Sequence, residues 1–444
     1  MDKNQEHIVI VGGGFGGIAT AKKLRKSSCK VTLIDKSNHH LFQPLLYQVA
    51  TAALSPGDIA APIRAVLGED SGIQVLMGKV EKVKPGQKKL LLHDGRTLTY
   101  DRLVLAPGAK YNYFGNEQWE EHAPGLKSIS DALNIRERIL LSLEEAEQIE
   151  DLALREPYLT YVIVGGGPTG VEMAGAIAEI AKRQLMRDFQ NISANESRVF
   201  LVEAAPKILN GYPDELSEKA RQMLEDMGVR VLLNTPVTDI EENKIHFKEG
   251  FIETPNIIWA AGVSASPLVN SLGTEQDRSG RVKVNQNLSV PEYPEIFVIG
   301  DAAYVEDKEG NPLPALAPVA LQQGKFIADQ IIHGDTSSVK PAFIYKDKGM
   351  MATVGRAKAV ADIHGLKLSG FPAWFMWSFV HILFLLCFHN KIRVFVEWMW
   401  YYFTFKRGVR LITDRLDCKY CGESGISTFP ESPEIELSEH KHQH

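Results

Sequence analysis

Cysteine is scarce in this chain. Four occur in 444 residues, Cys29, Cys387, Cys418 and Cys421, and none falls between the first two. That count excludes a disulfide framework and fits a reducing compartment. Charge of one sign is also missing, since 49 Lys and Arg stand against 55 Asp and Glu. The mild acidic balance excludes a strongly basic nucleic-acid binder. No apolar leader precedes the first predicted strand, which begins near His7, so neither a secretory signal nor a transit peptide is expected. The sequons Asn191-Ile-Ser193 and Asn195-Glu-Ser197 are accordingly read as accidental. No Gly-x-Ser-x-Gly elbow occurs, so nothing points to a serine nucleophile. Long hydrophobic runs are nearly absent, and the chief one lies at 371–388.

What is present is one pattern, twice. Gly12, Gly14 and Gly17 lie in VIVGGGFGG; Gly165, Gly167 and Gly170 lie in VIVGGGPTG. Each follows an apolar run that reads as a buried parallel strand, and each opens a helical pattern. At such a turn the first glycine permits the tight bend. The second lets the backbone approach a pyrophosphate, and the third lets helix and strand pack closely. The anion rests on the unpaired N–H groups of the helix start. A carboxylate ends the next strand in both units, Asp35 in KVTLIDK and Glu203 in RVFLVEA. The second gap is longer, and the polar stretch QNISANES accounts for it as an inserted loop. Such a carboxylate accepts hydrogen bonds from ribose hydroxyls and repels a 2′-phosphate, which predicts NADH over NADPH at the second turn. Two turns imply two dinucleotides and an electron relay between them.

The length leaves room for two or three domains. Residues 7–35 read as strand, helix, strand. Residues 73–115 read as short strands ending in RLVLAPGA, and 128–150 as an acid-rich surface helix. Residues 160–262 repeat the N-terminal plan and end in NIIWAAGV. EIFVIGDAA reads as a buried strand ending at Gly300-Asp301, and a helix is predicted from near Ala317. Residues 342–363 look like strands of a mixed sheet. Together these describe an α/β fold.

With both turns, the Ala-Pro-Gly and Ala-Ala-Gly strand ends and the Gly-Asp end in order, the chain resembles the two-dinucleotide flavoprotein reductases. HHLFQPLLYQVATAALSP at 39–56, ALAPVALQQGKFIA at 315–328 and the aromatic C-terminal region look like the type II NADH dehydrogenases, NADH:quinone oxidoreductases that pump no protons. The resemblance implies non-covalent FAD at the first turn and NADH at the second. It implies two Rossmann-like domains, an NADH domain at 155–265 inserted in an FAD domain at 1–125 and 285–335. A C-terminal sheet with amphipathic membrane-anchoring helices at 340–412 and a polar tail at 413–444 would follow. It places Gly12, Gly14, Gly16 and Gly17 at the FAD pyrophosphate and Asp35 and Lys36 at the adenosine ribose. Ala106, Gly108 and Asp301 would contact the rest of the FAD, Asp301 at the ribityl chain. Gly165, Gly167, Gly170, Glu203, Ala261 and Gly262 would surround NADH. Glu172 corresponds to a family glutamate near nicotinamide and flavin. Gln322 and Gln323 correspond to paired glutamines at the quinone site, where an amide N–H can meet a quinone carbonyl. The helix at Ala317 would turn its positive end to the flavin.

Cysteine placement separates relatives within that superfamily. Disulfide reductases need a thiol pair soon after the first unit, and residues 36–60 contain no cysteine. Sulfide:quinone oxidoreductases need cysteines beside the flavin from the middle and late fold, and the gap from Cys29 to Cys387 leaves none. A non-thiol acceptor is therefore expected. Cys418-Lys-Tyr-Cys421, with His440, His442 and His444, is half of a zinc pattern; that is too little for a metal to be expected.

Residues 371–388 sit at the lower length limit for a membrane span. A second aromatic segment, VFVEWMWYYFTF, is bracketed by Lys391, Arg393, Lys406 and Arg407. A transmembrane span, a buried or homodimer-forming element, and two helices lying in the membrane surface all fit. A break at His389-Asn390-Lys391 and the short lengths favour the last. His381 would either line a quinone path or be satisfied by a backbone carbonyl. The expected location is peripheral, on the cytoplasmic face of a prokaryotic inner membrane. A soluble NADH-dependent reductase of a redox protein and a non-enzymatic FAD- and NAD-sensing protein remain as alternatives. The tail beyond Arg415 is expected to be disordered.

Overall fold

Buried apolar strands and glycine turns build the first layer. His7–Val11 (β1) is followed by Phe15–Leu24 (α1) and Lys30–Asp35 (β2). Leu46–Ala50 (α2), Ile73–Met77 (β3) and Arg102–Leu105 (β4) come next. β1 pairs in parallel with β2 on one side and β4 on the other, and β2 pairs with β3. The central strands are nearly continuous in Val, Ile and Leu because both faces are covered: α1 packs on Ile8, Ile10 and Leu33, and a small antiparallel sheet at 80–99 packs on Val9, Val11 and Ile34. The computed structural model describes residues 5–68, 71–181, 188–334, 341–404 and 409–412. The expected disorder of the tail, its Cys418/Cys421 and histidine pattern, and Lys406 and Arg407 all lie outside these.

Ile129–Gln148 (α3) begins at a capping box. The Asp131 amide donates to Ser128 Oγ, and the Ser128 amide donates to Asp131 Oδ2. It is not the surface helix expected from its acids. Ala132, Ile135, Ile139, Leu143 and Ala146 form a buried stripe at helical spacing, and the acids occupy the outer face. The second nucleotide-type unit follows: Thr160–Val164 (β5), Pro168–Glu179 (α4), Arg198–Val202 (β6), Val229–Leu232 (β7) and Asn256–Trp259 (β8). Its strands lie in the order β7-β6-β5-β8, all parallel.

The chain then rejoins its first sheet. Tyr293–Val298 (β9) pairs in parallel with β4 and carries an antiparallel edge at Ser289–Val290. Ala317–His333 (α5) starts where the sequence places it and crosses α1 closely. At Gly324 a Cβ would lie 2.3 Å from the Gly16 carbonyl oxygen, so only glycine allows that approach.

Met350–Gly355 (β10), Lys358–Ile363 (β11) and Leu366–Ser369 (β12) form a sheet that is antiparallel throughout, not mixed. Two-residue connections permit only antiparallel pairing. Phe371–Phe384 (α6) and Phe388–Thr404 (α7) close the described chain. The break between them falls at 385–387, earlier than expected. Residues 389–391 are already helical because the Asn390 amide, buried on the body, donates to the Gly57 and Ala60 carbonyls. At about 1.5 Å per residue, neither helix reaches the ~30 Å of a bilayer core. No described helix is long and apolar enough to cross a membrane.

Candidate functional site

Both glycine turns assign the same three tasks to their glycines. Gly12 has φ +105°, and a Cβ there would stand 2.1 Å from the Ala106 carbonyl oxygen. A Cβ at Gly14 would meet nothing within 4 Å, so that face is open. A Cβ at Gly17 would stand 1.8 Å from the Gly12 oxygen. In the second turn Gly165 has φ +109° and faces the Ala261 amide nitrogen at 2.7 Å. Gly167 is open, and Gly170 would touch the Gly165 oxygen at 1.8 Å. Neither α1 nor α4 has a side-chain cap at its start, which leaves N–H groups for an anion.

The strand-end carboxylates also match. Asp35 accepts from the Gly13 amide at 2.5 Å and from Ser37 at 2.6 Å. Glu203 accepts from the Gly166 amide at 2.5 Å and from Ala205 at 2.8 Å. An open glycine, an uncapped helix start and an adjacent carboxylate fit a dinucleotide at each turn. Gly108 and Gly262 both hold positive φ just beyond the walls formed by Ala106 and Ala261. Gly16 is packed against Ile299 and Ala320 of the α5 crossing, and Lys36 is exposed.

Asp301 follows β9 in a short 3-10 turn with Gly300. That turn is held by Gln323, which is 1% exposed and whose Oε1 accepts from the Gly300 amide at 2.7 Å. Gln322 sits beside the segment at Lys346. Its Nε2 donates to the Lys346 carbonyl at 2.9 Å, and its Oε1 accepts from the Lys346 amide at 3.0 Å. The passing backbone satisfies both ends of that amide. Lys127 lies near Asp301; burial holds its ammonium below the ordinary lysine value, and the carboxylate opposes the shift.

Glu172, one turn into α4, lines a cavity of about 60 Å³ with Gln48, Thr353, Trp377, Ser378 and Trp398. Burial pushes its carboxyl up to about 8, and a hydrogen bond from the Thr353 backbone pulls the other way. Thr353 is there because α4 packs directly on β10. A Cβ at Gly175 would lie 1.6 Å from the Val354 oxygen. The cavity therefore joins the second unit to α2, the C-terminal sheet and the helix pair. His381 takes the simpler of its two expected roles. Its Nδ1 pairs with the Trp377 carbonyl at 2.7 Å, and burial pushes it down to about 4.

Several site residues were not singled out in the sequence. His40 Nδ1 pairs with the Gly13 carbonyl at 2.9 Å and braces the first turn from behind. Gln48 accepts from Trp398 Nε1 at 2.8 Å and donates to Tyr47 Oη at 2.9 Å, tying α2 to α7. The one available signal was polar residues inside the apolar run at 39–56. Among the described residues no His, Cys, Asp and Glu cluster could hold a metal, and Cys29 and Cys387 are both free thiols.

The outer face of the helix pair is apolar. Phe371, Phe375, Phe379 and Leu383 form an exposed stripe on α6; Phe388, Ile392, Phe395, Val396 and Met399 form another on α7. The opposite face is buried through Trp377 and Val394.

Comparison with known proteins comes from three directions. The pyridine nucleotide-disulphide oxidoreductase family matches residues 6–324, and the NDH2 C-terminal domain matches residues 348–407. The chain is 43% identical over 427 residues to the type II NADH:quinone oxidoreductase Ndh of Mycobacterium tuberculosis, spanning 93% of this chain and 91% of that one. It is 30% identical over 390 residues to the type II NADH:quinone oxidoreductase of Staphylococcus haemolyticus, spanning 85% and 94%. Its fold matches NDH2 of Plasmodium falciparum solved in complex with NADH, with a TM-score of 0.84 at 22% identity, covering 93% of this chain and 100% of that one.

Proposed function

The chain belongs to the type II NADH:quinone oxidoreductases, and we propose that it oxidises NADH and reduces a lipid quinone at a membrane surface. The net reaction is NADH + H⁺ + quinone → NAD⁺ + quinol. When bound, FAD would supply the redox chemistry that links NADH to the quinone. The rest is the work of the chain. Residues 1–125 and 285–335 hold the FAD, with its pyrophosphate over Gly14 and its adenosine ribose at Asp35. Residues 155–265 hold NADH, with Glu203 at its ribose. Gln323 positions the Gly300-Asp301 turn, and Gln322 positions the segment at Lys346. The observation that carries this reading is the repetition of one turn geometry, each with its own carboxylate, in a chain without a thiol pair between Cys29 and Cys387.

Glu172 is the proton-holding group in this scheme. Burial pushes its carboxyl up to about 8, which favours the protonated form at pH 7. Above that value it ionises and has no proton to give. Glu172→Gln is expected to lower quinone reduction by about 10²-fold and to remove the alkaline fall in rate. The sign for stability follows. The folded value lies above the ordinary 4.5, so the stability tied to its neutral form is present at low pH and lost as pH rises through about 8. The Gln variant should therefore gain in Tm relative to the parent between pH 6 and pH 9. An unchanged pH–rate profile and a constant Tm difference would reject the role.

The exposed stripes of α6 and α7 suit a surface that lies in lipid headgroups, on the cytoplasmic side where NADH is available. Apolar burial is the main attraction. Lys391 donates to the Leu383 carbonyl at 2.7 Å and Arg393 lies 3.6 Å from Asp58, so these cations are partly engaged by the protein itself.

A further inference from the structure

Eight buried polar side-chain atoms lack a hydrogen-bond partner among the described residues, and two belong to neighbours on α6: Trp377 Nε1 and Ser378 Oγ. Both residues line the Glu172 cavity. A buried donor without a partner is costly, and native proteins rarely keep one without a use. The contrast with the adjacent indole is direct. Trp398 stacks on Trp377 at 5.5 Å, yet its Nε1 is spent on Gln48. Trp377 is 2% exposed, held between Trp398 and His381, so its ring cannot swing out to water.

We infer that Trp377 Nε1 and Ser378 Oγ are the hydrogen-bond donors that seat a quinone carbonyl in the cavity between α2, α4, β10 and the helix pair. This rests on the quinone-reductase reading above and adds to it the groups that hold the acceptor. The chemistry suits a quinone. A carbonyl oxygen accepts from both an indole N–H and a hydroxyl. The lipid-facing stripes lie on the other side of the same two helices. Gln322 is committed to Lys346 and cannot supply that donor without releasing it. The partly buried pair Trp374 and Tyr402, stacked at 5.7 Å, also lines the cavity and must move aside to widen it for a ring.

Trp377→Phe keeps the ring and removes only the N–H; Ser378→Ala removes only the hydroxyl. In the FAD-loaded protein with NADH and a decyl-substituted benzoquinone, each is expected to raise the KM for quinone about three- to tenfold, with kcat at saturating quinone little changed. Without quinone, neither variant should lower Tm, because an unpartnered donor has been removed. Ser378→Thr should restore the KM. A KM within twofold of the parent, or a raised KM accompanied by a lower Tm, would overturn the assignment. If the parent protein fails to reduce the quinone at all, the function itself fails; if the parent reduces it and the variants match it, only the donors do.

Discussion

Gly17→Val is expected to purify colourless. The glycine Cα faces the Gly12 carbonyl, and any Cβ would sit 1.8 Å from that oxygen. The turn cannot keep its shape, and backbone strain of ~1–3 kcal/mol corresponds to roughly a 5- to 150-fold loss of FAD affinity. Gly14→Ala makes the control. Its Cβ meets no protein atom within 4 Å, so the fold and the Tm of the flavin-free protein should be unchanged. Only the approach of the pyrophosphate is obstructed there. The flavin absorbance per polypeptide reads both variants. A Gly17→Val protein carrying a full complement of FAD would show that the first turn is not the flavin cradle.

Replacing Phe375, Phe379, Phe388 and Phe395 together with serine should move the protein from the membrane fraction to the soluble fraction. All four are more than half exposed. Removing four such side chains from lipid forfeits ~1.5–3 kcal/mol each by area, several orders of magnitude in partitioning. Turnover with a long-chain quinone should collapse, while a short-chain quinone that reaches the site through water should still be reduced. Truncation from Phe371 is a poorer tool. The inner faces of the two helices supply Trp377 and Val394 to the main hydrophobic core, and the junction between them supplies Leu385. Truncation would damage folding as well as attachment. Continued membrane binding by the serine variant would show that another surface makes the contact.

How much of this was legible in the sequence depended on where the constraint was local. The glycine turns and the start of α5 are written within a few residues of chain, and Asp35 and Glu203 each end an apolar strand pattern, so local pattern located them. The break between α6 and α7 was misplaced because Asn390 is held by Gly57 and Ala60, more than 300 residues away in sequence. The Gln322 partner was out of sight for the same reason, since Lys346 arrives from outside its helix. The acids of α3 marked its outer face and hid the buried stripe beneath it. The cavity around Glu172 was out of reach altogether, because it is assembled from α2, α4, β10, α6 and α7, which only folding brings together.

An anaerobic stopped-flow experiment tests the relay most directly. The purified, FAD-loaded protein is mixed with NADH and then, in a second push, with a short-chain quinone, while the flavin band is followed. Rapid bleaching by NADH and full recovery of the band on quinone addition, one quinol per NADH consumed, is the predicted result. A flavin band that persists through the NADH mix, or bleaches but recovers only with a protein acceptor and not with quinone, would contradict the account.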